Sequence, residues 1–191
     1  DEWIVRDQGA MVRQIGYSPE EFAKIMIEKE GGFSSAKALY DKSVLKDSDY
    51  HPLPLEAGSA GDRYSNILNK IFTKDYDFKD YDRATNIYWP GNKMGLGRED
   101  VISFWRSLKD ILSEIKFKVE HVGYLDEPNK NPRASVRWSL EGIHSSDSKI
   151  YGEKTNSNLY FMGINHAELN SYGVIREWVL FDEVAIWKQI L

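Results

Sequence analysis

The sequence predicts an α+β fold, with helices first and a mixed or antiparallel β-sheet after them. Two observations carry this. Apolar residues recur at helical spacing in two segments: Tyr64, Ile67, Leu68, Ile71 and Phe72, then Val101, Phe104, Trp105, Leu108, Ile111 and Leu112. Beyond the second segment the period changes to two. Phe117, Val119, His121 and Gly123 alternate with Lys116, Lys118, Glu120 and Val122, and Ala134, Val136, Trp138 and Leu140 alternate with Arg133, Arg137 and Glu141. Consecutive strands joined by short turns pair antiparallel, and the preceding helices are available to cover their apolar side.

The elements follow in order. The phrase from Glu2 to Ile15 returns as Glu177 to Ile190, an offset of 175 residues, with six of the 14 paired positions identical. A repeat at that distance points to tandem copies of one domain rather than a solenoid. Residues 1–16 are therefore expected to be the tail of a preceding copy. Ser18-Pro19-Glu20-Glu21 carries a capping residue, a proline at the first helical position and a glutamate three residues after the cap. The helix it opens buries Phe22, Ile25 and Met26 and stops at Gly31-Gly32. A second helix is expected over 35–45. Pro52 and Pro54 then forbid regular helix and make an extended connector. Residues 17–57 thus read as a helical connector and 58–191 as one domain. Within that domain a helix is expected over 63–72, a strand over 82–89 ended by Pro90-Gly91, and a helix opened by Gly97-Arg98-Glu99-Asp100. After the two strands already described, two more are expected near 158–168 and 173–182.

Composition narrows the function classes. Hydrophobic residues make up 41% of the 191 and aromatics 13%, enough for a substantial core. The absence of cysteine excludes disulfides and thiolate metal sites, which suits a cytoplasmic setting. A net charge of −5 argues against nucleic acid or an anionic membrane as the main partner. No apolar run approaches the roughly 20 residues of a spanning helix.

The order of these elements, with Gly97-Arg98-Glu99-Asp100, Arg137-Trp138-Ser139-Leu140-Glu141-Gly142-Ile143-His144, Gly163-Ile164-Asn165-His166, and Ile175-Arg176-Glu177-Trp178-Val179-Leu180-Phe181-Asp182 with the trailing Gln189-Ile190, resembles the SnoaL-like polyketide cyclase (ester cyclase-like) branch of the nuclear transport factor 2-like superfamily. The resemblance implies a cone: a strongly curved sheet wrapped around helices, with a deep apolar pocket for a small organic ligand. It also implies dimerisation through the outer sheet face, no cofactor, and acid/base chemistry by a strand aspartate without metal. Two loops depart from the family's pattern. Ser145 to Asn156 lacks the usual Gly-Pro-Thr-Gly-like turn, and Asn170-Ser171-Tyr172-Gly173 stands where Asp-Gly-Lys is typical. Both belong to loops that rim the pocket, so they bear on substrate more than on fold.

Asp182 ends the last strand with the parity of Trp178 and Leu180, from which it can face an apolar pocket and have its pKa raised into the range of a general base. It equally stands where it would cap the terminal helix, and the two roles overlap. His166 and His144 are the candidate polar partners that would stabilise an enolate. Each can also be a core or rim histidine satisfied by a strand carbonyl. Trp138, Trp178, Tyr160, Phe161, Trp105 and Phe104 can line the pocket or simply form core. Histidines and carboxylates do not fall at ligand spacing, so no metal is expected. Of Arg176 and Glu177, which straddle both faces, one must be buried or pair across the sheet. Two functions follow. The first is an isomerase, cyclase or hydratase acting on a small carbonyl compound. The second is a non-catalytic module that binds a small molecule or a second copy of itself, and a pocket filled by Trp and Phe would favour it.

Overall fold

The computed structural model describes residues 5–30, 55–73 and 75–191. The helix expected over 35–45, most of the proline connector, and Trp3 and Ile4 of the repeat lie outside the described residues.

Among the described residues, five helices and six strands occur in the order α1 (Gln8–Gln14), α2 (Pro19–Glu30), α3 (Ala60–Thr73), β1 (Tyr81–Trp89), β2 (Lys93–Leu96), α4 (Arg98–Lys109), β3 (Leu112–Leu125), β4 (Arg133–His144), β5 (Asn158–Asn170), β6 (Gly173–Phe181) and α5 (Glu183–Ile190). The strands form one sheet in the order β2-β1-β6-β5-β4-β3, antiparallel except where β1 runs parallel to β6. That parallel pair needs a long crossover, and β2, α4 and the meander β3–β5 supply it.

α3 and α4 fill the concave side of the sheet. α3 starts where the Ser59 hydroxyl accepts the Asp62 N–H at 3.2 Å, and it turns Tyr64, Ile67, Leu68, Ile71 and Phe72 inward. α4 carries Glu99 and Asp100 in its first turn and Arg106 and Lys109 in its last, charges that complement the helix dipole. Its inner residues Val101, Phe104, Trp105 and Leu108 are buried.

The inward faces of the strands decide where the site lies. β4 alternates as its sequence indicates, with Ala134, Val136, Trp138 and Leu140 inside. β3 does not keep one parity. Its pairing with β4 slips between Val119 and His121, so Val122 packs on the core while His121 is exposed. A bulge of this kind flips every later side chain. On β6 the parity read from the sequence is reversed, and β5 turns the candidate His166 away from the cone. Phe161, Asn165 and Ala167 point inward, as do Glu177, Val179 and Phe181, while His166 and Trp178 face outward as a cross-strand pair.

α5 follows β6 directly and packs on α2 and α1 through Val184, Val12, Ala23, Phe22 and Trp187. Arg13 pairs with the buried Glu183 at 2.6 Å. The aspartate of each copy of the repeated phrase caps a helix: Asp7 caps α1 by accepting the Ala10 N–H at 2.8 Å, and Asp182 caps α5 by accepting the Val184 N–H at 2.9 Å. The trailing Gln189 extends the β5 ladder past the end of β6. Its amide accepts the Tyr160 N–H at 2.7 Å and donates to the Tyr160 carbonyl at 2.9 Å. No described helix is long and apolar enough to cross a membrane.

Candidate functional site

Five elements converge on Glu177. β6 carries it opposite Ala167 on one side and Ile87 on the other, so its side chain enters the cone where the neighbouring strand offers only a methyl group. It has no exposure to solvent. Four donors meet it. Its Oε1 accepts from Tyr64 Oη of α3 at 2.5 Å, from Tyr81 Oη of β1 at 3.0 Å and from Asn165 Nδ2 of β5 at 3.2 Å. Its Oε2 accepts from the Trp105 indole of α4 at 3.3 Å. The Asn165 amide is fixed from both ends, because its Oδ1 accepts the Trp138 indole N–H at 2.8 Å and its Nδ2 donates to Tyr64 Oη at 2.8 Å. All of these side chains are buried.

Two opposing effects set the carboxyl's protonation. Burial disfavours the charge and is the larger; the donors from Tyr64, Trp105, Tyr81 and Asn165 favour it. The balance leaves Glu177 raised to about 7. Burial also pushes the phenols of Tyr64 and Tyr81 up, and the neighbouring carboxylate pushes them further, so both stay protonated donors. The cluster is thus a neutral-range acid flanked by two phenols and an amide, a set suited to taking and returning one proton.

Around it the cone is packed. Trp138 meets Phe72, Phe117, Phe161 and Phe181 at ring-centroid distances of 5.8–6.4 Å, Phe161 meets Phe181 at 5.7 Å, and Phe104 meets Trp105 at 4.9 Å. Two clefts lined by described residues lie outside this packing. A cleft of about 370 Å³ opens between residues 75–78 and the end of α4, with Ile71, Phe78 and Trp105 in its apolar wall. A second, of about 270 Å³, lies beside the β5–β6 turn at Arg63, Lys70, Asp80 and Tyr172.

The structure brings together only part of the set read from the sequence. Trp138 and Trp105 join the cluster through their indoles, and Phe104 and Phe161 pack beside them. Trp178 does not line the cone. It is 42% exposed and stacks on Tyr88 on the outer face at 5.8 Å. His166 pairs with it there, and Tyr160 shares that parity, half-buried. His144 is buried at the far end of β4, where Nδ1 lies 3.2 Å from Thr155 Oγ1. Burial lowers its pKa, against the smaller raising effect of Asp147. Asp182 is half-buried at the start of α5, and its pKa is raised to about 6, first by burial and less by the charges of Asp7 and Glu183. Its carboxylate is engaged by the helix it caps. Asp182→Ala is therefore expected to cost about 1 kcal/mol, measured by urea unfolding; no loss would mean the cap contributes nothing. Among the described residues no group of three or more His, Asp or Glu side chains is placed to hold a metal ion.

Neither a family model nor a curated protein matches the sequence. Solved structures do match the fold. A candidate polyketide cyclase from Pseudomonas putida KT2440 superposes with a TM-score of 0.58 at 7% identity, over 70% of this chain and 98% of that one. A candidate SnoaL-like polyketide cyclase from Jannaschia sp. CCS1 gives 0.55 at 14% identity, over 72% and 97%. Another from Shewanella putrefaciens CN-32 gives 0.53 at 13%, over 82% and 96%. At these identities the likeness carries the architecture alone: the chain has the α+β cone fold of the SnoaL-like, nuclear transport factor 2-like structures.

Proposed function

We propose that the protein binds a small, flat carbonyl compound and moves a proton on the carbon next to the carbonyl, with Glu177 as the acid/base group. The observation that supports this is the wholly buried Glu177 carboxyl held at about 7 between two phenols. Such a group gives up and recovers a proton at neutral pH with little driving force either way, which is what efficient general acid/base transfer requires. In the step, the C–H bond breaks, the proton passes to Glu177 Oε2 and the electron pair becomes an enolate. As the carboxylate loses its charge, Tyr64 or Tyr81 is released to donate to the enolate oxygen. Glu177 takes the role that the strand parity suggested for Asp182.

The test uses 2-tetralone, a bicyclic ketone with exchangeable hydrogens beside its carbonyl, in D₂O. Wild-type protein is expected to accelerate deuterium uptake, and Glu177→Gln to lower the catalysed rate by about 10²–10⁴-fold. Equal rates for the two proteins would remove Glu177 from the chemistry.

A second reading, a non-catalytic assembly module, is favoured by one observation: the outer face of the sheet exposes an apolar stripe. Met94 and Leu96 are 63% and 64% exposed there, next to the Tyr88–Trp178 stack. A second copy of the chain would cover it. Sedimentation equilibrium is expected to give a dimer that Trp178→Arg dissociates, and a wild-type monomer at all concentrations would remove that partner.

A further inference from the structure

We infer that planar carbonyl compounds reach Glu177 through the cleft between residues 75–78 and α4, with the Trp105 indole as the gate. The inference rests on the acid/base reading of Glu177 and adds the way in. The two carboxyl oxygens are not equivalent. Oε1 is saturated by Tyr64, Tyr81 and Asn165, while Oε2 holds a single donor, the Trp105 indole, at 3.3 Å, the longest of the four bonds. Among the described residues Oε2 therefore keeps a lone pair open beside the one that accepts the Trp105 N–H. Trp105 also lines the cleft, so one residue touches both the cleft and the less engaged oxygen. Moving the indole breaks the longest hydrogen bond of the cluster and the edge contacts with Phe72 and Phe104, and it leaves the Tyr64–Asn165–Trp138 hydrogen bonds in place.

The cleft itself indicates the ligand. Its volume of about 370 Å³ suits a molecule of one or two fused rings. Ile71, Phe78 and Trp105 offer it flat apolar contact, and Tyr76 stands beside Phe78 with ring centroids 4.8 Å apart. The rim mixes Asp75, Asp77 and Asp110 with Arg106 and Lys109, which favours a neutral polar substituent over a strongly charged one.

The chain has no cysteine, so Arg106→Cys on the exposed rim introduces a single thiol that a benzyl methanethiosulfonate can block and dithiothreitol can free. Binding of 2-tetralone is read as the saturable shift of the Trp105 indole N–H resonance, assigned with Trp105→Phe. The reduced form of Arg106→Cys is the reference for the blocked form, so that loss of the guanidinium cancels from the comparison. The blocked form should bind at least tenfold more weakly and recover on reduction, with the rest of the amide spectrum unchanged. Undiminished binding after blocking, or no shift of the Trp105 resonance in wild type, would overturn the assignment. Glu177→Gln separates the two claims. If it retains the gated binding but exchanges as fast as wild type, the acid/base reading fails while the cleft stands as the binding site.

Discussion

Trp138→Ala is expected to remove about 3–5 kcal/mol of folding stability, the largest loss of any single side chain in the cone. The indole is fully buried, and its neighbours Phe72, Phe117, Phe161 and Phe181 are held by backbone on four different elements that cannot close over the gap. The truncation also leaves Asn165 Oδ1 without its donor, and Asn165 positions both Tyr64 and Glu177. An unpartnered buried acceptor adds to the cavity term rather than replacing it. The converse change tests the same packing from the other side. A Cβ at Gly163 would run into the Trp138 ring from the paired strand, so Gly163→Ala is expected to cost about 1–3 kcal/mol by overpacking. Urea unfolding of the two variants measures both. A Trp138→Ala loss below about 1 kcal/mol would mean the ring is not the keystone of the interior.

Stability is expected to fall, not rise, between pH 4.5 and pH 7. In the unfolded chain Glu177 titrates near its ordinary 4.5, while in the folded protein it titrates at about 7. Between those values the folded state holds a proton that the unfolded state has lost, so folding stability is fully present below pH 4.5 and declines as pH rises through 7. A difference of that size corresponds to roughly 3 kcal/mol across the window. Asp182, raised to about 6 by burial, acts in the same direction over a lower range. Glu177→Gln removes the ionisation and is expected to flatten the upper half of the profile while leaving the Asp182 part. A stability curve that rises from pH 4.5 to 7 in wild type, or one unchanged by Glu177→Gln, would contradict the burial of an ionisable group at that position.

How far the sequence reveals the molecule depends on the element. α3 and α4 carry single apolar stripes on otherwise polar helices, and the structure buries those stripes. β4 is legible for the same reason, since Arg133, Arg137 and Glu141 mark its wet face against Trp138 and Leu140. β5 and β6 carry apolar residues on both faces. Tyr160, Met162 and Ile164 look as suited to a core as Leu159, Phe161 and Leu169, and Trp178 looks more suited than Glu177. Residue type thus favoured the wrong face, and with it Asp182 and His166 as the polar pair. A physical signal for the correct face is present in the small residues. Gly163 and Ala167 alternate with Asn165, and small residues on an inward face leave room for the Trp138 ring and the Glu177 carboxyl. Arg176 and Glu177 resolve the conflict noted between them in both ways: Arg176 pairs with Glu168 at 3.1 Å outside, and Glu177 is buried inside. The β3 bulge has no mark in residue pattern, because Glu120 and His121 are both tolerable on a wet face. The convergence of Tyr64, Tyr81, Trp105, Asn165 and Glu177 could not be read from spacing at all, since the five come from five elements and meet only through the sheet order.

The proton-transfer function rests on a buried Glu177 carboxyl that changes protonation near neutrality. Carboxyl-carbon NMR titration, with Glu177→Gln to assign the resonance, measures it directly. The structure predicts a midpoint near 7 that disappears in the variant. A midpoint at the ordinary 4.5 would mean a solvated or fully charge-compensated side chain, and the proton-transfer function would fall with it.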